Sequence, residues 1–207
     1  MLSAQVVLAS VEASAAEPAP KPFVVKVHTA LVSGTPVASE AWLASQWDSV
    51  RSLLGPAGLA FEPSLAPAPK QPIPRSLETR ADRDLLRAFA VPKVLNVFVV
   101  EALRDIDEPE RQRLGVHWRA GGIHYVIVAT YAVPGGAPCP PQYKCSEHSG
   151  LLTHELGHFF GLGHDPRADN VMSYSRAGRA LWFSEPQKSR LLQVRDAEIA
   201  KGLTFVQ

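Results

Sequence analysis

The chain has 207 residues, 46% of them hydrophobic, with 21 Lys and Arg against 20 Asp and Glu for a formal net charge of +1. That length suits one domain with a sizeable buried core. The near-neutral balance leaves no electrostatic footprint for nucleic acid or an anionic membrane. Lacking a run of about 18 apolar residues, the chain is expected to have no membrane span.

Residues 1–22 are rich in alanine and end in Glu17-Pro-Ala-Pro-Lys-Pro22, so they are expected to form a tail outside the fold. The run Val6–Val11 followed by Ala13-Ser14-Ala15 is similar to the end of a secretory signal and its small-residue cleavage site. Export, to the periplasm or the exterior, is therefore expected. The alternative is a cytoplasmic protein with a disordered tail, since no basic residue precedes the run and Glu12 interrupts it.

Phe23–Leu31 reads as a buried strand. Ser39 is a natural N-cap for a helix that carries Trp42, Leu43, Trp47, Val50, Leu53 and Leu54 on one face, and Gly55-Pro56 ends it. Gly58–Glu62 reads as a second strand. Strand, helix, strand in this order points to a crossover connection and a mostly parallel sheet. Pro63–Pro74 is proline-rich and reads as a stiff surface loop. Asp82–Phe89 suggests a short helix, and the apolar run Val94–Val100 a central strand.

Glu101–Arg113 is charged, with Asp105, Asp107, Glu108 and Glu110 close together. A solvated acidic loop is expected there. A calcium (Ca2+) site is the alternative, although the spacing fits no calcium-loop motif. Gly115–Arg119 and Ile123–Tyr131 have strand-forming composition. Cys139 and Cys145 are the only two cysteines. They suggest a short disulfide that stiffens the loop before the next helix, with two reduced thiols as the alternative.

The most informative stretch is Leu151–Asp165. Read as a helix, it places His154 and His158 one turn apart on one face, where two imidazoles can share one metal ion. Glu155 is offset by about 100° on the same helix, beside the metal but not on it. Gly161 is expected to stop the helix in a left-handed conformation, so that His164 returns from another direction. Three imidazoles with one open position form the donor set of catalytic zinc (Zn2+), whereas structural zinc sites are closed by four protein ligands. The remaining histidines, His28, His117, His124 and His148, lack a partner at ligand spacing and read as polar edge or surface residues. Ser184–Gln187 is a capping box that opens a final helix to about Lys201, with Leu191, Leu192, Val194, Ala197 and Ile199 available for packing.

His154-Glu155-Leu-Gly-His158-Phe-Phe-Gly161-Leu-Gly-His164-Asp165, followed by Asn170-Val-Met172-Ser-Tyr174, resembles the extended motif and Met-turn of the metzincin clan of zinc endopeptidases. The resemblance covers about 21 residues of the 207. It implies an α/β fold with a twisted, mostly parallel sheet and an antiparallel edge strand. It also implies an active-site helix and a small C-terminal helical subdomain. Residues 23–207 would be the catalytic domain, with an upper part of about 23–161 and a lower part of about 162–207.

The same resemblance implies roles for individual residues. His154, His158 and His164 would hold one zinc ion, Glu155 would act as general base, and Met172 would form a hydrophobic floor beneath the metal. Tyr174 would donate to the developing oxyanion or simply line the wall, and Asp165 would orient neighbouring groups or serve as a turn residue. An extended protein or peptide substrate would pair with the edge strand, which lies either between Gly115 and Ile123 or in the strand that follows. Residues 175–183 would wall the pocket, and the protein would act as a monomer. The alternative is a catalytically silent zinc-binding protein that recognises a partner through the cleft, for which an intact Glu155 has no use.

Overall fold

The computed structural model describes residues 20–108, 110–130 and 150–205. Its centre is a five-stranded sheet. The strands are β1 (Phe23–Thr29), β4 (Phe61–Leu65), β6 (Leu95–Val100), β8 (Gly115–Ala120) and β9 (Ile123–Ala129), in the spatial order β4-β1-β6-β9-β8. The first four in that order are mutually parallel, and β8 runs antiparallel to β9 along the outer edge. The expected sheet type is therefore present, and of the two candidate edge segments it is Gly115–Ala120 that lies outside. Two small pairs accompany the sheet: β2 (Leu31–Val32) with β3 (Thr35–Pro36), and β5 (Ser76–Leu77) with β7 (Ala102–Leu103).

Every residue of β6 is buried, as a parallel strand covered on both faces must be. Val97 and Val99 point into one core, Phe98 and Val100 into the other. The first core is closed by three helices: α1 (Glu40–Leu54), α3 (Leu151–Phe159) and α4 (Glu185–Ala200). The second holds Tyr125 and Ile127 against Leu86, just beyond the short helix α2 (Arg80–Leu85).

Local chemistry sets the helix ends. Ser39 accepts the Trp42 N–H at 3.2 Å to begin α1, which stops at Leu54 before a turn over Gly55–Ala57. Thr79 with Asp82, and Ser184 with Gln187, form capping boxes at the starts of α2 and α4.

Three expectations are corrected. The second strand is Phe61–Leu65, not Gly58–Glu62, and it runs through Pro63 into the stretch read as a loop. As an edge strand it loses nothing from a missing N–H on its open side. On α4, Ala197 is exposed and Glu198 is buried instead, with Lys201 at 2.8 Å and the His124 ring at 3.6 Å. His28 is not a surface residue. It is 4% exposed, stacks on Phe98, and bonds through Nε2 to Asn96 Oδ1 at 2.9 Å. Among the described residues, no helix is long and apolar enough to cross a membrane.

Candidate active site

Helix α3 is pinned between α1 and the β8–β9 edge. Gly150 precedes it without a side-chain cap, and the free N–H of Leu152 donates instead to Oε1 of Gln46, a buried side chain on α1, at 3.1 Å. At the other end Gly161 takes φ +81. Its N–H donates to His158 O at 3.0 Å and that of Leu162 to Gly157 O at 2.9 Å, a Schellman closure that turns the chain back toward His164.

Three imidazoles converge as a result. His158 Nε2 lies 3.1 Å from His154 Nε2 and 3.1 Å from His164 Nε2. His154 Nδ1 donates to Val171 O at 2.7 Å, and His158 Nδ1 donates to Leu162 O at 2.8 Å. Because a carbonyl only accepts, the proton of each ring sits on Nδ1, and Nε2 carries a lone pair. Lone pairs facing each other at 3.1 Å repel unless a cation lies between them. Two nitrogens on one tetrahedral metal at about 2.1 Å would stand about 3.4 Å apart, so the cluster fits a metal ion.

Burial pushes the pKa of His154 down to about 4, and burial lowers His158 and His164 as well, which keeps all three neutral and able to ligate. They are the only group of this kind among the described residues.

Glu155 is buried beside them. Burial raises its carboxyl to about 8, against the pull of Arg113 and of the His117 backbone N–H. Its Oε2 has no hydrogen-bond partner among the described residues. The carboxylate lies against the backbone of β8, where a Cβ on Gly115 would stand 2.6 Å from Glu155 Cγ and 2.7 Å from Oε1. The three histidines, Glu155 and Tyr174 line a cleft of about 290 Å³ together with Arg113 and the Gly115–His117 stretch of β8.

Tyr174 is 75% exposed, and its hydroxyl lies 2.8 Å from His164 Nε2. Met172 is fully buried, with its sulfur packed on Gly157, the residue before His158. Asp165 turns away from the histidines: its Oδ1 accepts the Arg167 N–H at 2.9 Å, and its carboxylate pairs with the Arg167 guanidinium. That ion pair and the Arg167 N–H hold its carboxyl at about 2.

The turn below the histidines rests on Asn170, which is buried. Its Oδ1 accepts the Met172 N–H at 2.9 Å, and its Nδ2 donates to Gln187 Oε1 on α4 at 2.8 Å. The Asn170–Trp182 bridge brings the 175–183 segment back beside this turn.

Cys139, Cys145, His148 and residues 1–19 of the signal-like tail lie outside the described residues. In the acidic loop, Asp105 faces Arg113 at 2.8 Å, Glu108 faces Arg111 at 3.0 Å, and Asp107 faces Arg80 at 3.4 Å. These carboxylates are paired with arginines, and the structure does not support the calcium alternative. Sequence reasoning missed four residues: Arg113, Gly115, Gly157 and His117. A glycine inside a helix, as at Gly157, was a readable sign of close packing. Nothing local marked the other three.

No family model and no curated protein matches the chain by sequence. Solved structures do match in shape. Archaemetzincin from Methanopyrus kandleri superposes with a TM-score of 0.54 at 20% identity, over 87% of this chain and 99% of that one. Metalloproteinase-II from Bacteroides fragilis superposes with a TM-score of 0.57 at 14% identity, over 85% of this chain and 53% of that one. The chain has the fold of these metalloproteins, with a three-histidine cluster at its centre.

Proposed function

We propose that the protein is a zinc-dependent endopeptidase of the metzincin type. The observation that carries this reading is the convergence of three neutral Nε2 atoms beside a buried carboxylate, beneath the free edge of β8. Zinc held by His154, His158 and His164 would supply a Lewis acid that lowers the pKa of a bound water and polarises a scissile carbonyl.

This chain's own residues do the rest. Beside the positive charge of a zinc ion, the raised carboxyl of Glu155 would return to its ionised form, so that Oε2 would accept the proton of the attacking water and pass it to the leaving amine. Tyr174, whose pKa burial raises, stays protonated and donates a hydrogen bond to the oxygen that becomes negative. The Val171 and Leu162 carbonyls fix the ring orientation of His154 and His158. Met172 forms the apolar floor expected of a Met-turn, held by Asn170. Edge strand β8 offers unpaired backbone groups to an extended substrate. In this reading residues 23–161 form the upper part and 162–207 the lower part of one catalytic unit, and the protein is exported.

The test compares zinc content and casein cleavage for wild type and Glu155→Ala. Both should hold about one zinc, and only wild type should cleave. If wild type holds zinc and cuts nothing, the silent binding protein replaces the peptidase. A chain without zinc refutes both.

A further inference from the structure

We propose that Arg113 is the specificity-determining residue of the cleft, where its guanidinium holds a carboxylate of the substrate. This rests on the peptidase reading and names the chemistry that the site selects.

Arg113 stands two residues before β8 and lines the same cavity as the three histidines and Glu155. Its backbone N–H donates to Leu103 O at 2.7 Å. Its Nε faces Asp105 Oδ2 at 2.8 Å, and Asp105 is in turn held by the N–H groups of Asp107 at 2.9 Å and Glu108 at 3.3 Å. The guanidinium is thus held beside Asp105 by ion pairing, although its buried Nε makes no aligned hydrogen bond. Its side chain remains 37% exposed, and its terminal nitrogens make no hydrogen bond to a described residue. A planar fork held on one side and open to a cleft on the other is preorganised for bidentate recognition of a carboxylate.

The local charge balance points the same way. The buried guanidinium of Arg83 feels Arg113 and Arg80 against Asp105 and Asp107, so three guanidinium groups face two carboxylates. No ion pair joins Arg113 to Glu155, although its field reaches Glu155, His164 and Tyr174. Among the described residues, no acidic side chain pairs with this positive group of the cleft wall on the cavity side.

The ligand chemistry is a carboxylate, and it has two sources: an acidic side chain within the peptide, or the α-carboxylate of its C-terminus. The test uses one neutral peptide sequence in three forms: amidated with a central glutamine, amidated with a central glutamate, and central glutamine with a free C-terminus. Their affinities are measured by calorimetry on the zinc-loaded, full-length Glu155→Gln protein and on the same protein carrying Arg113→Gln or Arg113→Lys. At least one charged form should bind about tenfold to a hundredfold tighter than the neutral one, the range of a hydrogen bond to a charged group. Which form gains identifies the source. Arg113→Gln should bring the ratio of charged to neutral affinity to about one. Arg113→Lys, which keeps charge but not the fork, should retain only part of it.

Equal affinity for all three forms, no binding of any form, or a ratio that survives both substitutions overturns the proposal. Cleavage of the neutral peptide by wild type is read separately. Its absence would bring down the peptidase reading without touching the binding ratio.

Discussion

Gly115 is where the edge strand and the carboxylate of Glu155 meet, and an added methyl there should separate structure from chemistry. In Gly115→Ala the new Cβ would lie 2.6 Å from Glu155 Cγ, 2.7 Å from Oε1 and 2.9 Å from Cδ. Ordinary contacts begin near 3.5 Å, so the carboxylate must move by about 1 Å. Gly115 is not among the residues with positive φ, so alanine adds no backbone strain and the contact is the whole perturbation. A displacement of about 1 Å in a reacting group costs on the order of a hundredfold in rate, or about 2.7 kcal/mol of barrier. Stability should fall by about 1 kcal/mol, the low end for overpacking, because the Glu155 side chain can swing into the cleft.

The assay is kcat/KM on casein-derived peptides, with zinc content and the urea midpoint read on the same samples. Zinc should remain at the wild-type level, since Glu155 is not one of the three clustered nitrogens. A double-mutant cycle adds the deciding step: in a Glu155→Ala background the three atoms nearest the methyl are gone, so most of its stability cost should vanish. A Gly115→Ala protein within threefold of wild-type activity, or a stability cost unchanged by Glu155→Ala, refutes the reasoning.

Three further expectations follow from contacts of the same kind. In Gly157→Ala the new methyl collides with the Met172 sulfur and lies 3.2 Å from its terminal carbon, inside a fully buried site. Overpacking should outweigh the helix propensity gained and lower Tm by about 4 °C, together with weaker zinc retention against a chelator; an unchanged Tm would show that Met172 is free to move. Tyr174→Phe should leave Tm alone, because the side chain is 75% exposed, while kcat falls by about a hundredfold. A loss confined to KM would mean that the hydroxyl binds substrate without serving the transition state. Burial lowers the pKa of His28 from 6.5, so the unfolded chain takes up that proton first and stability is lost as pH falls below about 6.5 through the lowered value. Unfolding free energies between pH 7.5 and 4.5 should therefore fall less steeply in His28→Gln, and parallel slopes would assign the acid sensitivity elsewhere.

How far these features could be read from sequence depended on whether their causes were local. The helix starts at Ser39 and Ser184 and the stop at Gly161 were legible because each is decided within a few residues. β6 was legible because a strand covered on both faces has to be apolar throughout. The two candidate edge strands could not be ranked with certainty, yet their compositions differ in the right sense. β9 is buried from Tyr125 to Ala129, while β8 reads Gly-Val-His-Trp-Arg-Ala and is mostly half-buried, as an edge should be.

Gly157 apart, what escaped notice was non-local. Asn96 lies 68 residues from His28, so nothing near either residue announced a buried polar pair. Pro63 looked like a strand breaker until β4 proved to lie at the edge of the sheet, with β1 as its partner strand among the described residues. Arg113 sat unremarked in a charged loop because its importance comes from the cleft it lines and from Asp105, eight positions earlier, which holds it there. The histidine spacing announces what the centre can bind, because 3.6 residues per turn is a property of any helix. What the centre would accept as substrate is set instead by side chains that the fold brings to the cleft from elsewhere, as it brings Arg113.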